Sequence, residues 1–365
     1  MKLTKKIANA CVVIGLTCII GCMTSYDEDP MAHMDFKSRS VVEDMSDDDI
    51  VVNGPEDSIA AMKKERKMHI AVFADISNQF KGRELLNGQR IADIDEGQLQ
   101  TSAQVFVRNF LQKVKAYKLE AIDKADLNRA LKSADDIDGV KFPFLAKVKV
   151  ILTSEVIQKQ RKDEFIYKCV LEWELIDNRT KANGLGEKQI PTVIASDMCQ
   201  NVTTRNLMLS ASGVAVGGGA KDRTNAHNAY NEVIGNCMSQ FYAQLANRVP
   251  FGGSVSGVKT LDGDMYFTIK ADAQGHGVVK KMQMLLMNED QDRIAVGEVL
   301  VSANGKSNVK IWRWLSKSYR KQLESVVRKG KDEVENWLDE NKLYALCLGL
   351  PEPPKDMLLD FRSRK

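Results

Sequence analysis

The chain has few of the residues from which proteins most often build metal and acid–base sites. Histidine occurs only four times, as His33, His69, His227 and His276. None of them belongs to a His-Glu-x-x-His helix, which is the spacing by which many zinc sites are recognised in a sequence. The sequence therefore predicts no metal site and no bound cofactor.

Other catalytic signatures are present only in fragments. Gly305-Lys306-Ser307 is similar to the end of a phosphate-binding loop, but Leu300 stands where that loop needs a glycine. The spacing Ser-x-x-Lys of penicillin-binding enzymes occurs three times, without the Ser-Asp-Asn and Lys-Thr-Gly elements that accompany it in those enzymes. We therefore expect a protein that is not an enzyme. A hydrolase acting on peptidoglycan is the alternative, and zymography would test it.

Neither sign of charge dominates. The chain carries 52 basic and 49 acidic residues, for a net charge of +3. Such a balance does not indicate a nucleic-acid partner, because those proteins present a strongly basic surface. The hydrophobic fraction of 44% is enough for a substantial core, and 365 residues leave room for two modest domains.

A long hydrophobic run occurs only near the start of the sequence. Three lysines precede an apolar run from Ile7 to Ile20. A basic segment followed by a short apolar one is typical of a secretory signal, whereas a membrane-spanning helix needs about 20 apolar residues. The run ends at Ile19-Ile20-Gly21-Cys22, which resembles the lipobox of bacterial lipoproteins.

That resemblance implies a signal peptide at 1–21 and lipidation of Cys22, with diacylglycerol on the thiol and a palmitate-type acyl chain on the amino group. Several chains are needed, because each buried methylene contributes about 0.8 kcal/mol and one chain binds a membrane only marginally. Met23 follows, not the aspartate that resembles an inner-membrane retention signal. We therefore predict a lipid anchor in the outer membrane, with the protein facing the periplasm. An ordinary signal with a chance cysteine, or an uncleaved anchor, is the alternative.

Four cysteines remain as candidates for disulfides once the signal and the lipidated residue are set aside: Cys169, Cys199, Cys237 and Cys347. Disulfides persist in the periplasm, but four cysteines allow three connectivities and the sequence does not choose among them. Cys169 shares its strand parity with the apolar Tyr167 and Leu171. This parity favours a buried free thiol at that position.

The chain divides into segments of different composition. Residues 22–64 are rich in acidic residues and predict a disordered, solvated tether. Residues 65–249 alternate between strand and helix patterns and predict an α+β domain with a sheet flanked by helices. Short strands with glycine turns predict a small SH3-like β-barrel at 250–312, including an Asn304-Gly305 hairpin. A C-terminal helical segment and tail follow at 313–365.

The order of these elements resembles the periplasmic domain shared by the curli-secretion lipoprotein CsgG and the synthase-activating lipoprotein LpoB, which is itself similar to the N-terminal domain of TolB. The resemblance rests on Ile70-Ala71-Val72, on the strand–helix junction at 119–127 and on the turn at 174–180. A helix followed by a small barrel is also similar to the flagellar assembly protein FlgT.

The resemblance implies a scaffold or activator that acts by binding an envelope protein, or else a subunit of a ring-forming secretion channel. The channel would need alternating strands long enough to cross a membrane, about 9–11 residues each. Residues 206–220 alternate in part and then run into three glycines. We predict a flexible loop there, with a membrane-contacting strand as the alternative. A homo-oligomer stays open.

Overall fold

The computed structural model describes residues 39–52, 56–64, 66–80, 96–132, 143–159, 162–178, 192–208 and 220–349. Its elements, in chain order, are α1 (Arg39–Glu43), α2 (Glu56–Lys63), β1 (His69–Phe80), α3 (Glu96–Lys113), β2 (Lys118–Ile122), α4 (Lys124–Lys132), β3 (Phe144–Lys159), β4 (Lys162–Asp177), β5 (Thr192–Met208), α5 (Ala220–Arg248), β6 (Gly252–Leu261), β7 (Asp264–Ile269), α6 (Ala273–His276), β8 (Gln283–Met287), β9 (Arg293–Ala303), β10 (Lys306–Trp314), α7 (Lys317–Lys329), α8 (Lys331–Asn341) and β11 (Tyr344–Cys347).

The first unit is built on a five-stranded mixed sheet with the order β2-β1-β3-β4-β5. β1 pairs in parallel with both β2 and β3, and the β3–β4 and β4–β5 pairs are antiparallel. The predicted strand–helix junction is present, because the Asp123 carboxylate accepts a 2.7 Å hydrogen bond from the backbone N–H of Asp126 at the start of α4.

Two helices cover one face of this sheet along its length. The apolar sides of α3 and α5 pack on inward-facing strand residues such as Val148, Leu171 and Trp173. The opposite face is covered at one end by α4, through Leu127 and Ala130. The remainder of that opposite face carries charged residues, among them Lys149 and Glu172.

The second unit is a closed six-stranded barrel with the order β10-β7-β6-β11-β8-β9. The predicted hairpin is confirmed, because Asn304 and Gly305 have φ angles of 55° and 75°, the signs that a type I′ turn requires. The structure differs from the predicted boundary at 312. The barrel closes only with β11, which lies beyond α7 and α8 in a segment predicted to be helix and tail, and pairs with both β6 and β8.

The segment predicted as a solvated tether is structured over much of its described length. Val42 and Ile50 have no exposed surface and pack on the barrel with Leu285, Val296 and Leu346. The prediction of disorder is therefore wrong for residues 39–52. The physical reason is that the few apolar residues of this acidic segment can be buried against an apolar surface of the barrel.

The mixed α+β architecture predicted from the sequence is confirmed, with helices on a sheet followed by a small barrel. Its assignment to the CsgG/LpoB-like or FlgT-like folds stays a prediction. No helix in the part of the chain that the structure describes combines the length and apolar character needed to span a membrane.

Candidate functional site

The predicted lipid-attachment residue, Cys22, lies outside the described residues, as do the predicted signal peptide and the first part of the predicted tether. Most of the stretch 206–220 is outside them as well; its described part shows β5 running to Met208 and α5 beginning at Ala220. The four cysteines considered for disulfides are all described. Each of the four is buried, and none of them is joined in a disulfide.

Three of the four cysteines meet between the sheet and its covering helix. Cys169 lies on β4, Cys199 on β5 and Cys237 on α5. The Cys199 thiol donates to the Cys237 carbonyl at 3.3 Å, and the Cys237 thiol donates to the Cys169 carbonyl at 3.4 Å. Cys347 lies in the barrel on β11, where its Sγ accepts from the N–H of Gly349. We refer to Cys169, Cys199 and Cys237 as the thiol cluster.

The thiols of this cluster influence one another's ionisation. Hydrogen bonds from Cys169 and Cys199 lower the pKa of the Cys237 thiol to about 5, against the opposing effect of burial. The same contacts, together with burial, raise the pKa values of Cys169 and Cys199. Cys237 is therefore the thiol of the cluster that ionises most readily.

Two arginines of the barrel hold the segment 39–52, which we call the N-terminal strap. Arg313 on β10 donates to the carbonyls of Val42 and Met45, at 3.2 and 2.9 Å, and pairs with the Asp47 carboxylate. Arg293 on β9 donates to the Asp47 carbonyl at 2.6 Å. A guanidinium group suits this role because its fixed N–H groups can satisfy several carbonyls at once.

The strap is also held by contacts of other kinds. The Arg39 guanidinium lies 5.0 Å from the centroid of the Trp312 ring, within the range of a cation–π interaction. Beyond the strap, Lys63 of α2 forms a 2.9 Å ion pair with Glu289, which also pairs with Lys342. These hydrogen bonds from Lys63 and Lys342 lower the pKa of Glu289. Both described parts of the N-terminal region are therefore tied to the barrel.

The long strand β5 forms one edge of the sheet, with no strand paired to its outer side among the residues described. Its first half exposes apolar side chains: Val193 is 54% exposed, Ile194 41% and Met198 52%. We call these three residues the edge strip. Natural edge strands of this length are usually shielded by charge, proline or a covering element, so an exposed apolar edge is typical of a contact surface.

The edge strip continues onto the open face of the sheet. Met198 is paired with Glu172, which in turn is paired with Lys149 on β3, and the two charged side chains form a 3.1 Å ion pair. Apolar side chains flanked by charged ones match the composition of protein interfaces, which have an apolar centre and a polar rim. Part of the strand backbone is already used, because Gln244 of α5 donates to the Met198 carbonyl at 3.2 Å.

A small cleft lies where the sheet unit meets the barrel, with a cavity volume of about 40 Å³. Arg66, Lys67 and Lys270 line it, and no carboxylate does. Tyr117 also lines it, but burial raises the pKa of Tyr117 well above its ordinary value and its hydroxyl donates to the Val249 carbonyl. Ser254 and His276 line it as well, so the lining offers three cationic side chains, a hydroxyl and an imidazole.

A cluster of hydroxyl, carboxylate and imidazole groups lies at one end of the barrel, but its hydrogen bonds are structural. The Asp272 carboxylate accepts from the N–H groups of Gly275 and Gly305, at 2.6 and 2.7 Å. The hydroxyls of Ser302 and Ser307 each donate to a backbone carbonyl at 2.6 Å. These hydrogen bonds connect α6 to the hairpin at 304–305, and we refer to those of Asp272 as the Asp272 staple.

The Asp272 staple predicts a pH-dependent contribution to stability. Burial opposes ionisation, but the N–H groups of Gly275 and Gly305, together with His276, outweigh it and lower the pKa of Asp272. Because the folded pKa is below the unfolded one, the stabilisation is complete above about pH 4 and is lost as the pH falls through the folded value. We expect Asp272→Asn to lower the free energy of unfolding by about 2 kcal/mol at pH 7.

Chemical denaturation of both proteins at several pH values measures this effect. The difference between the parent chain and Asp272→Asn should shrink as the pH drops below about 4. A difference that stays constant down to the acid limit of folding would show that the charge of Asp272 does not stabilise the barrel.

The described histidines do not converge on a site. His69 lies 3.0 Å from Glu120 on the edge of the sheet, and His276 lies 3.4 Å from Asp272 at the barrel. Within the described ranges, no group of three or more His, Cys, Asp or Glu side chains is arranged to hold a metal ion. The side chains of His33 and His227 fall outside what the structure describes.

Sequence reasoning missed the strap, its two arginines and the edge strip. The strap had a signal, since Val41, Val42, Ile50, Val51 and Val52 interrupt an otherwise acidic stretch. The edge strip had no signal in the sequence, because the residues of β5 do not show that the strand lies at the edge of the sheet. For the cysteines, strand parity predicted the burial of Cys169 correctly, but no local pattern indicated that three cysteines lie together.

Comparison with known proteins finds no matching family model and no matching curated relative. A minor lipoprotein from Acinetobacter baumannii is similar at 8% identity, over 48% of this chain and 90% of that one, with a TM-score of 0.23. A putative neuraminyllactose-binding hemagglutinin homolog from Helicobacter pylori is similar at 10% identity, over 45% and 80%, with a TM-score of 0.26. Lipoprotein GNA1162 from Neisseria meningitidis is similar at 12% identity, over 46% and 99%, with a TM-score of 0.18.

Proposed function

We propose that this chain is a non-catalytic, lipid-anchored protein of the outer membrane. It faces the periplasm and acts as a scaffold or activator of envelope assembly, for a cell-wall synthase or a surface-appendage machine. The observation that carries the binding role is the edge strip, where Val193, Ile194 and Met198 are about half exposed on an edge strand. The lipobox-like sequence that ends at Cys22 supports the anchor.

The strap limits how far such a protein can reach. The 17 residue steps from Cys22 to Arg39 can span at most about 60 Å, because an extended chain covers about 3.5 Å per residue. A free tether up to residue 64 could span about 150 Å by the same rule. A partner is therefore expected close to the membrane that holds the anchor, unless the strap leaves the barrel.

A subunit of a ring-forming, curli-type secretion channel is the second candidate. The observation in favour of a channel is the length of β5, which runs through residues 206–208 toward a glycine-rich stretch of the sequence. In that case the edge strip would contact a neighbouring copy of the same chain. The two candidates therefore use one surface and differ in what occupies it.

Site-specific photo-crosslinking in cells separates these candidates. A photoreactive amino acid is placed at position 193 or 198 of the edge strip, and at position 301 as the matched control, since Val301 is 57% exposed on the barrel. We expect adducts from positions 193 and 198 with an envelope protein, and none with that protein from position 301. Adducts with the chain itself would favour the ring.

Binding of the identified partner to the purified chain provides the second measurement. Met198→Asp should weaken it about tenfold or more, because a charge replaces a central apolar contact, while Val301→Asp should leave it unchanged. Equal adducts from all three positions, or equal effects of the two substitutions, would remove the edge strip as the binding surface.

A further inference from the structure

The thiol cluster joins three elements that are distant in sequence. Cys169 and Cys199 lie diagonally on the neighbouring strands β4 and β5, because Cys199 pairs with Leu171 and Cys169 pairs with Asn201. Cys237 reaches both of them from α5, because its Sγ lies 3.4 Å from the Cys169 carbonyl oxygen and the Cys199 Sγ lies 3.3 Å from the Cys237 carbonyl oxygen. Three cysteines so close together can form one disulfide and leave one thiol over.

We propose that Cys199 and Cys237 form a disulfide that ties the edge strand β5 to α5, and that Cys169 remains a thiol. This inference does not rest on the proposed function, because it depends only on the packing of the sheet and its helix. The fourth cysteine, Cys347, takes no part, since it lies on a barrel strand.

Accessibility decides which thiol reacts first. Cys199 keeps 6% of its surface exposed, whereas Cys169 and Cys237 have none. The Cys199 thiol also lies against the backbone of Cys237, 3.3 Å from its carbonyl oxygen. An oxidant that arrives from solvent therefore meets Cys199, and the thiol best placed to resolve the product is Cys237.

The reaction is a thiol–disulfide exchange in which an external disulfide is the oxidant. The Cys199 sulfur attacks that disulfide, forms a mixed disulfide and releases one thiolate. The Cys237 sulfur then attacks the Cys199 sulfur of the mixed disulfide and releases the second thiolate. The two cysteine protons go to the two released thiolates, so the chain loses two hydrogen atoms and the oxidant is reduced to two thiols.

The consequence falls on the proposed contact surface. Cys199 directly follows Met198, so the disulfide fixes the strand beside the edge strip to the helix behind it. Oxidation would therefore hold the edge strip in one position, and reduction would return it to the freedom of a strand held by packing and hydrogen bonds alone.

Oxidised glutathione is the probe in the experiment that tests this. The purified folded chain is treated with it, free thiols are blocked, and the disulfide-linked peptides are identified by mass spectrometry. We expect one peptide pair joined between Cys199 and Cys237, with a mass lower by two hydrogen atoms, and a blocked thiol at Cys169. A Cys169–Cys237 link, or no internal link in the folded chain, would overturn the proposal.

Two serine variants complete the test. Cys347→Ser should form the same link to the same extent, because that thiol lies outside the cluster. Cys237→Ser should stop at a mixed disulfide between Cys199 and glutathione, because the resolving thiol is gone. An internal disulfide between Cys199 and another cysteine of the chain in Cys237→Ser would contradict the assigned pair. If that variant fails to fold, peptide mapping of the unsubstituted chain decides the matter.

Discussion

Replacing Gly252 with alanine should disrupt the pairing of β6 with β11, which closes the barrel, and lower the free energy of unfolding by about 3 kcal/mol. A Cβ at this position would lie 1.8 Å from the carbonyl oxygen of Ala345 and 2.9 Å from its carbon. The contact is with backbone, and Ala345 is paired on its other side with Leu286 of β8. The strand β11 therefore cannot move aside without losing the pairing that closes the barrel.

Gly257→Ala is the matched control, because Gly257 lies on the same strand and its added Cβ would meet nothing closer than 3.9 Å. Thermal and denaturant unfolding of both variants measure the difference, and hydrogen exchange of residues 344–347 locates it. Similar stabilities for the two variants would show that the approach of β6 to β11 is not as close as the structure has it.

The second large effect is expected in the N-terminal strap. Ile50 is fully buried against the barrel, whereas the next residue, Val51, is 45% exposed. Truncation of a buried isoleucine to alanine costs about 2–5 kcal/mol, because apolar contacts are lost and a cavity remains. We expect Ile50→Ala to release residues 39–52 from the barrel, since two arginines and Val42 are the other main contacts that hold them.

Hydrogen exchange of the strap amides is the direct measurement. Ile50→Ala should raise the exchange rates of residues 39–52, while Val51→Ala should leave them nearly as they are in the parent chain. Unchanged protection in Ile50→Ala would mean that the remaining contacts, from Arg293, Arg313 and Val42, hold the strap without Ile50.

Release of the strap bears on the proposed function. Under a lipid anchor at Cys22, it lengthens the possible span between membrane and folded body from about 60 Å to about 120 Å, because α2 begins at Glu56 and stays tied to the barrel through Lys63. Variants such as Ile50→Ala therefore change the distance that the protein can span without changing its proposed binding surface. The edge strip lies on the sheet unit, whereas Ile50 packs on the barrel.

The sequence by itself determined most of the local structure. The strand and helix patterns of residues 65–249 predicted a sheet flanked by helices, and Asn304-Gly305 predicted a hairpin. These features depend on residues close together in the chain, and their patterns reflect which side of each element is buried. The burial of Cys169 followed from the same parity rule.

What only the tertiary structure decided involves partners far apart in sequence. The strand β11 closes the barrel some 30 residues after β10, because its edge pairing with β6 and β8 leaves no mark in its own four residues. The strap docks through Arg293 and Arg313, and Cys199 meets Cys237 across a helix and a strand. The physical reason is common to all three, since pairing between distant segments depends on the shape of the assembled surfaces, which no local pattern records.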